Sequence, residues 1–117
     1  MKSPRLVHRI KHYLELFSAI PKERWCTGNF TQPGERFCAL GHLGMTTLSL
    51  PNSEALEFSE LITDVIAPGR KSDPSYVTRL NDGRHSQDLL FGSEPKNRIC
   101  NVLRKRLEME TQQTETL

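Results

Sequence analysis

Apolar residues recur at three- and four-residue spacing along several segments of the chain, which is the periodicity of amphipathic helices. The first segment covers residues 4–18. The second opens at Asn52 or Ser53, both good helix caps, and is stopped by Pro68-Gly69. The third begins at residues 93–96 and keeps its apolar positions on one face: Ile99, Val102, Leu103 and Leu107. We therefore predict three long helices.

Between the first two of these helices the pattern changes to that of a hairpin. Asn29-Phe30-Thr31 and Arg36-Phe37-Cys38 flank Gln32-Pro33-Gly34-Glu35, and Pro-Gly is a strong turn signal. A two-stranded hairpin is only marginally stable alone, so this one must pack on helices.

Two shorter helices complete the predicted set. Residues 39–48 suit a short helix, in which Gly41 and Gly44 would let another backbone approach closely. Asp73-Pro74 is a second cap-then-proline signature, and Asn81-Asp82-Gly83 would end its helix or form a turn.

Together these segments predict a mainly α (α+β) fold of four or five helices with one short β-hairpin inserted after the first helix. Residues 1–109 should form a single globular domain, a size that can bury a core without staples. The polar residues 110–117 should form a flexible tail.

Composition narrows the class of protein without naming it. The chain of 117 residues has a net charge of +2, which is too small to argue for nucleic acid. No apolar run approaches the roughly 20 residues that cross a bilayer, and the charged N-terminus does not resemble a signal peptide, so we expect a cytoplasmic protein without membrane partners. Three cysteines without a CxxC pair should be free thiols in that compartment.

Charge is segregated along the chain. Residues 39–68 carry four acidic side chains and no lysine or arginine: Glu54, Glu57, Glu60 and Asp64. Basic residues dominate the flanking segments, and four of them crowd the last helix: Arg98, Arg104, Lys105 and Arg106. This pattern indicates either an internal electrostatic match or two surfaces of opposite sign. We expect the basic helix face to be solvated, or to contact the acidic helix of a neighbouring subunit in a homo-oligomer.

The segment Trp25–Gly44 concentrates the residue types with specialised chemistry, since it holds the only tryptophan and two of the three cysteines. Its pattern W-C-x-G, a turn, then C-A-L-G-x-L resembles a group of small uncharacterised bacterial and phage proteins. Members of that group often carry an Asn-Asp pair before the last helix, which here would be Asn81-Asp82. The resemblance implies a small mixed α protein with a hairpin and implies no activity. His42 and Leu80 depart from the group's usual pattern.

Cys38 lies at the predicted junction of a strand and a helix, where free backbone N–H groups would stabilise a thiolate or an oxyanion. His42 or His85 could serve as its base and Asp82 as the orienting partner, which together would make a cysteine-dependent hydrolase or transferase. The alternative is a small buried apolar residue, the usual role of a free cysteine.

Cys26, Cys38 and His42 could also be three ligands of a structural zinc ion, with Cys100, His85 or water as the fourth. The spacing lacks the paired short motifs of most zinc sites. A Cys26–Cys38 disulfide is sterically possible across the hairpin, although a reducing compartment disfavours it. We expect no cofactor.

A third candidate site would bind a small anionic, nucleotide-like ligand. Trp25 could stack on a base or sugar, although it could equally anchor the core. Anion contacts and polar contacts would come from Arg36, Arg79, Asn81, Asp82 and Arg84, unless these form a solvated basic surface and a self-capping turn.

No phosphate-binding loop, metal quartet or complete acid–base set is present in the sequence. The leading interpretation is therefore a small non-enzymatic binding or accessory protein, of phage or mobile-element type, that grips a protein partner or a small anionic ligand. The cysteine-dependent enzyme and a zinc-stabilised interaction module remain the alternatives.

Overall fold

The computed structural model describes residues 4–45 and 52–115, and their side chains as far as residue 112. Within these ranges the chain forms five α-helices, a two-stranded antiparallel hairpin and two single 3-10 turns at Lys22–Arg24 and Asp88–Phe91. The order is α1 (Pro4–Ser18), β1 (Thr31–Gln32), β2 (Arg36–Phe37), α2 (Ala39–His42), α3 (Ser53–Ile66), α4 (Pro74–Asp82) and α5 (Pro95–Glu115). The predicted fold class, mainly α with a hairpin after the first helix, is confirmed.

Local capping explains where two of the helices begin. The Asn52 side chain accepts a hydrogen bond from the Ala55 N–H at 2.8 Å, and the Asp73 side chain accepts one from the Ser75 N–H at 2.8 Å. Each bond satisfies an N–H that the first helical turn leaves free. Gly83, with φ of 64°, ends α4 in the left-handed conformation that glycine adopts without strain.

Aromatic rings join α1, α3 and the segment before the hairpin at the centre of the core. The ring centroids of Phe17 and Phe58 lie 5.0 Å apart, and those of Phe17 and Trp25 lie 5.5 Å apart. Trp25 is only 6% exposed and donates its indole N–H to the Ile20 carbonyl at 3.4 Å. The tryptophan therefore lies in the core.

The acidic helix α3 is matched by basic residues of its own chain. Arg9 of α1 lies 2.9 Å from Glu57, and Arg106 of α5 lies 3.3 Å from Asp64. Much of the charge segregation is therefore an internal match between neighbouring helices. Among the described residues, none of the helices has the length and apolar character needed to cross a membrane.

The structure corrects several details of the sequence prediction. Arg98 is 3% exposed, so the prediction that it belongs to a solvated basic face is wrong. Helix α2 ends before Gly44, whose φ of 91° interrupts the helix, and residues 46–48 of the predicted helix lie outside the described ranges.

The last described residues of the chain belong to α5. Helix α5 continues to Glu115, and the Glu110 side chain is buried beside Arg106, which donates to it at 3.1 Å. The boundary placed at residue 109 falls within this helix.

Candidate functional site

A cleft of about 250 Å³ opens between the loop that precedes β1 and the second half of α4. Seven residues line it: Gly28, Asn29, Phe30, Cys38, Thr78, Asp82 and Arg84. The loop contributes backbone groups and an aromatic ring, whereas the end of α4 and the residue after its capping glycine contribute a carboxylate and a guanidinium.

Asp82 joins the two walls of the cleft. One of its carboxylate oxygens accepts hydrogen bonds from the Gly28 N–H and from the Asn81 side chain, both at 3.0 Å. The other oxygen lies 3.0 Å from a terminal nitrogen of Arg84. The Asp82 side chain is 9% exposed and that of Arg84 is 61% exposed, so the guanidinium keeps most of its donors available at the rim.

Asn81, the residue before Asp82, points into the protein and connects α4 to two other segments of backbone. Its carbonyl oxygen accepts from the Ala39 N–H at 3.0 Å, and its amide nitrogen donates to the Cys26 carbonyl at 2.9 Å. The residue is fully buried, so these bonds are shielded from water. Asn81 thus fixes the start of α2 and the segment before the hairpin relative to α4.

Arg98 of α5 holds the end of α4 from the other side. Its Nε donates to the Leu80 carbonyl at 2.8 Å, and its terminal nitrogens donate to the carbonyls of Asn81 at 2.6 Å and Gly92 at 3.3 Å. A cation at the C-terminal end of a helix also faces the negative end of the helix dipole. Burial lowers the pKa of Arg98, against the raising effect of the carboxylates of Asp82, Asp88 and Glu94.

The charge pattern missed Arg98, although one signal could have located it. Arg98 and Val102 are four residues apart, so they share a face of α5 with the predicted core positions. An arginine within an apolar row must find carbonyls or carboxylates, and the end of α4 supplies the carbonyls.

Cys38 caps α2, as predicted, and its sulfur accepts a hydrogen bond from the Gly41 N–H at 3.4 Å. The thiol is 3% exposed. Burial raises its pKa, opposed by hydrogen bonds from the backbone N–H groups of Gly41 and Leu40. The environment therefore favours the neutral thiol over the nucleophilic thiolate.

The two candidate bases do not reach this thiol. The His42 ring packs against Trp25 and Phe37, and its Nε2 donates to the Arg24 carbonyl at 3.0 Å. Burial lowers the pKa of His42. The exposed His85 ring makes no hydrogen bond within residues 4–45 and 52–115.

Of the other candidate ligand-binding residues, two lie away from the cleft in structural roles. Trp25 belongs to the core, and Arg79 forms a paired contact with the buried carboxylate of Asp88 at 2.8 and 2.9 Å. Arg36 is exposed on the hairpin and donates to the Pro33 carbonyl at 3.2 Å. The cleft itself adds three residues that the sequence did not single out: Asn29, Phe30 and Thr78.

No group of three or more histidine, cysteine or acidic side chains in the described part of the chain could hold a metal ion, so Cys26, Cys38 and His42 do not form a three-ligand cluster there. All three cysteines are free and buried.

No protein-family model matches this chain, and neither a curated protein nor a solved structure matches it.

Proposed function

We propose that this protein is a small non-enzymatic binding protein that holds a small anionic, nucleotide-like ligand in the cleft between the 28–30 loop and α4. The observation that carries the proposal is the exposed guanidinium of Arg84, held beside Asp82 at the rim of a formed cleft. Arginine suits phosphate and carboxylate groups because its planar donors match their oxygens.

The remaining walls suit a ring with polar edges. Phe30 offers an aromatic surface, and the exposed Asn29 side-chain amide has no hydrogen-bond partner within the described part of the chain. An amide can both donate to and accept from the edge of a base. The cleft volume lies just below the usual range for ligand pockets, about 300–1,000 Å³, which favours a nucleoside monophosphate or a smaller molecule.

An accessory role of the phage or mobile-element type is part of the same proposal. The cysteine-dependent alternative has less support, because the Cys38 thiol has a raised pKa and no histidine within hydrogen-bonding distance in the described residues. A zinc-stabilised module has less support, because no group of three or more candidate ligands in the described part of the chain could hold a metal ion.

The test is a thermal-shift and calorimetric titration with AMP, GMP, CMP, UMP and inorganic phosphate. A ligand at ten times its Kd should stabilise the folded protein by about 1.4 kcal/mol. Arg84→Gln should abolish that stabilisation. Arg104→Gln is the matched control, because Arg104 is also exposed and, within the described part of the chain, bonds only to Asn101, at 2.7 Å.

Two results would contradict the proposal. One is the absence of any shift with all five probes. The other is equal loss of binding in both arginine variants, which would indicate non-specific attraction of anions. Capture of a protein by wild type but not by Arg84→Gln, with no probe bound, would replace the ligand with a protein partner.

A further inference from the structure

The segment before the hairpin and the segment after it run side by side at two cysteines. Trp25 and Phe37 form an isolated parallel bridge, and the Cys26 N–H donates to the Phe37 carbonyl at 3.0 Å. Cys26 and Cys38 are the next residues of each segment, so the bridge brings the two cysteines close together.

Neighbouring strands lie about 4.8 Å apart, and paired residues project from the same face. A disulfide needs a Cα separation of roughly 4.4–6.8 Å. The strand spacing at the Trp25–Phe37 bridge falls within this range, and Cys26 and Cys38 directly follow the bridged residues.

A second observation fixes the same two segments together. The Asn81 amide binds the Cys26 carbonyl at 2.9 Å and the Ala39 N–H at 3.0 Å, so a single side chain clamps both cysteine-bearing segments. The charge of one thiolate also acts on the other, because proximity to Cys26 contributes to raising the pKa of Cys38. The two sulfurs therefore share one region of the core.

Each thiol also contacts a wall of the cleft. The Cys26 thiol donates to the Asn29 carbonyl at 3.3 Å, and the Cys38 sulfur accepts from the Gly41 N–H at 3.4 Å. Cys38 and Asn29 both line the cleft. A change at these sulfurs would therefore alter the site that the proposed ligand occupies.

We propose that Cys26 and Cys38 are a redox-sensitive pair that forms a reversible disulfide and thereby weakens ligand binding in the cleft; the second part rests on the proposed function. A peroxide that enters the cleft meets Cys38 in its wall, and only the minor thiolate form of this residue reacts with it. Its thiolate attacks one peroxide oxygen, the O–O bond breaks, and a sulfenic acid and hydroxide form; the hydroxide takes up the proton that the thiol released and becomes water. Cys26 then attacks that sulfur and expels a second water. Two thiols and one hydrogen peroxide thus give one disulfide and two waters, and a dithiol reductant reverses the change by exchange.

The disulfide removes one existing hydrogen bond. The Asn29 carbonyl loses the Cys26 thiol as its donor, and the new bond draws the 27–30 loop towards the start of α2. One hydrogen bond contributes about 1 kcal/mol, which corresponds to a roughly fivefold change in affinity. We therefore expect the Kd for a bound probe to rise about fivefold in the oxidised protein.

The experiment treats the whole protein with hydrogen peroxide, followed by mass analysis and non-reducing peptide mapping. Formation of a Cys26–Cys38 link, its reversal by dithiothreitol, and a weaker Kd for AMP in the oxidised form would support the proposal. Cys100→Ser is the matched control and should behave as wild type, since Cys100 lies on α5 beside Ser18. Because burial raises the pKa of both Cys26 and Cys38, the reaction should speed up as the pH rises above neutral.

The chemical and functional parts fail separately. Absence of the Cys26–Cys38 peptide after oxidation, or a link to Cys100 in its place, overturns the redox pair whatever the cleft binds. The disulfide with an unchanged Kd for AMP overturns the regulatory role. If neither form binds AMP or any other probe, the proposed function fails and the regulatory role fails with it, while the peptide map still decides the disulfide.

Discussion

Replacement of Asn81 by alanine is the sharpest test of how the cleft is held together. Asn81 is fully buried and satisfies the Ala39 N–H and the Cys26 carbonyl, at 3.0 and 2.9 Å. Alanine leaves both backbone groups without a partner in a site that water does not reach. An unsatisfied buried polar group costs about 1–3 kcal/mol, so Asn81→Ala, which leaves two such groups, should lower the free energy of unfolding by about 2–6 kcal/mol.

The assay is equilibrium urea unfolding of wild type and variant, with Asn101→Ala as the matched control. Asn101 also donates its amide to a backbone carbonyl, that of Phe91 at 2.6 Å, but it is exposed and water can replace it. The control should lose less than about 1 kcal/mol. Equal losses in the two variants, or a loss below about 1 kcal/mol for Asn81→Ala, would refute the reasoning.

A nearly isosteric change separates hydrogen bonding from packing at the same position. Asn81→Asp keeps the acceptor for Ala39 but replaces the donor with a charged oxygen that faces the Cys26 carbonyl and the Asp82 carboxylate. The new carboxyl should therefore have a raised pKa in the folded state. A carboxyl with a raised pKa destabilises the fold when it is ionised, and this cost disappears as it becomes protonated. The loss in free energy of unfolding relative to wild type should therefore shrink as the pH falls. A deficit that does not change with pH would contradict this assignment.

Three further predictions test other parts of the fold. Asp88→Ala should lower the free energy of unfolding by about 3 kcal/mol, because it leaves the Arg79 guanidinium without its buried partner, as measured by urea unfolding. Burial and a hydrogen bond to Glu57 raise the pKa of the Tyr13 phenol to about 12, so ultraviolet absorbance should show its phenolate forming near pH 12. The free energy of unfolding should fall between pH 10.0 and about 12, where the phenol ionises in the unfolded chain but not in the folded protein. Gly41→Ala should cost about 1–3 kcal/mol in thermal unfolding, because a Cβ there would collide with the Phe30 carbonyl.

Helix starts could be predicted from the sequence because capping is local. Asn52 and Asp73 each satisfy an N–H two or three residues ahead, so the few residues around each carry the information. The close backbone approach predicted at Gly41 is also present, where the carbonyl of Phe30 lies against it. Gly44 is different, since its positive φ, rather than close approach, is what glycine supplies.

Burial of polar groups could not be predicted in the same way. Arg98 and Arg104 have the same charge and lie on the same helix, yet one is 3% exposed and the other is exposed. What separates them is the end of α4, which is distant in the sequence and whose Leu80 and Asn81 carbonyls accept hydrogen bonds from Arg98. The same limit applies to Cys38, whose place at a strand–helix junction was predicted but whose raised pKa depends on long-range packing.

The Asn81-Asp82 pair shows how adjacent residues can divide structure from binding. Successive residues of a helix point about 100° apart, so the end of α4 can bury one side chain while the next faces the cleft. The Asn81 side chain forms its hydrogen bonds with backbone groups buried in the core. The Asp82 carboxylate instead accepts from the Gly28 N–H in the cleft wall and pairs with Arg84. Both side chains depend on the position of the last turn of α4, which Arg98 holds by donating to the Leu80 and Asn81 carbonyls. The segment Trp25–Gly44 therefore serves first as the surface against which the last turn of α4 packs. The cleft is the part of this contact between the segment and α4 that stays open to solvent.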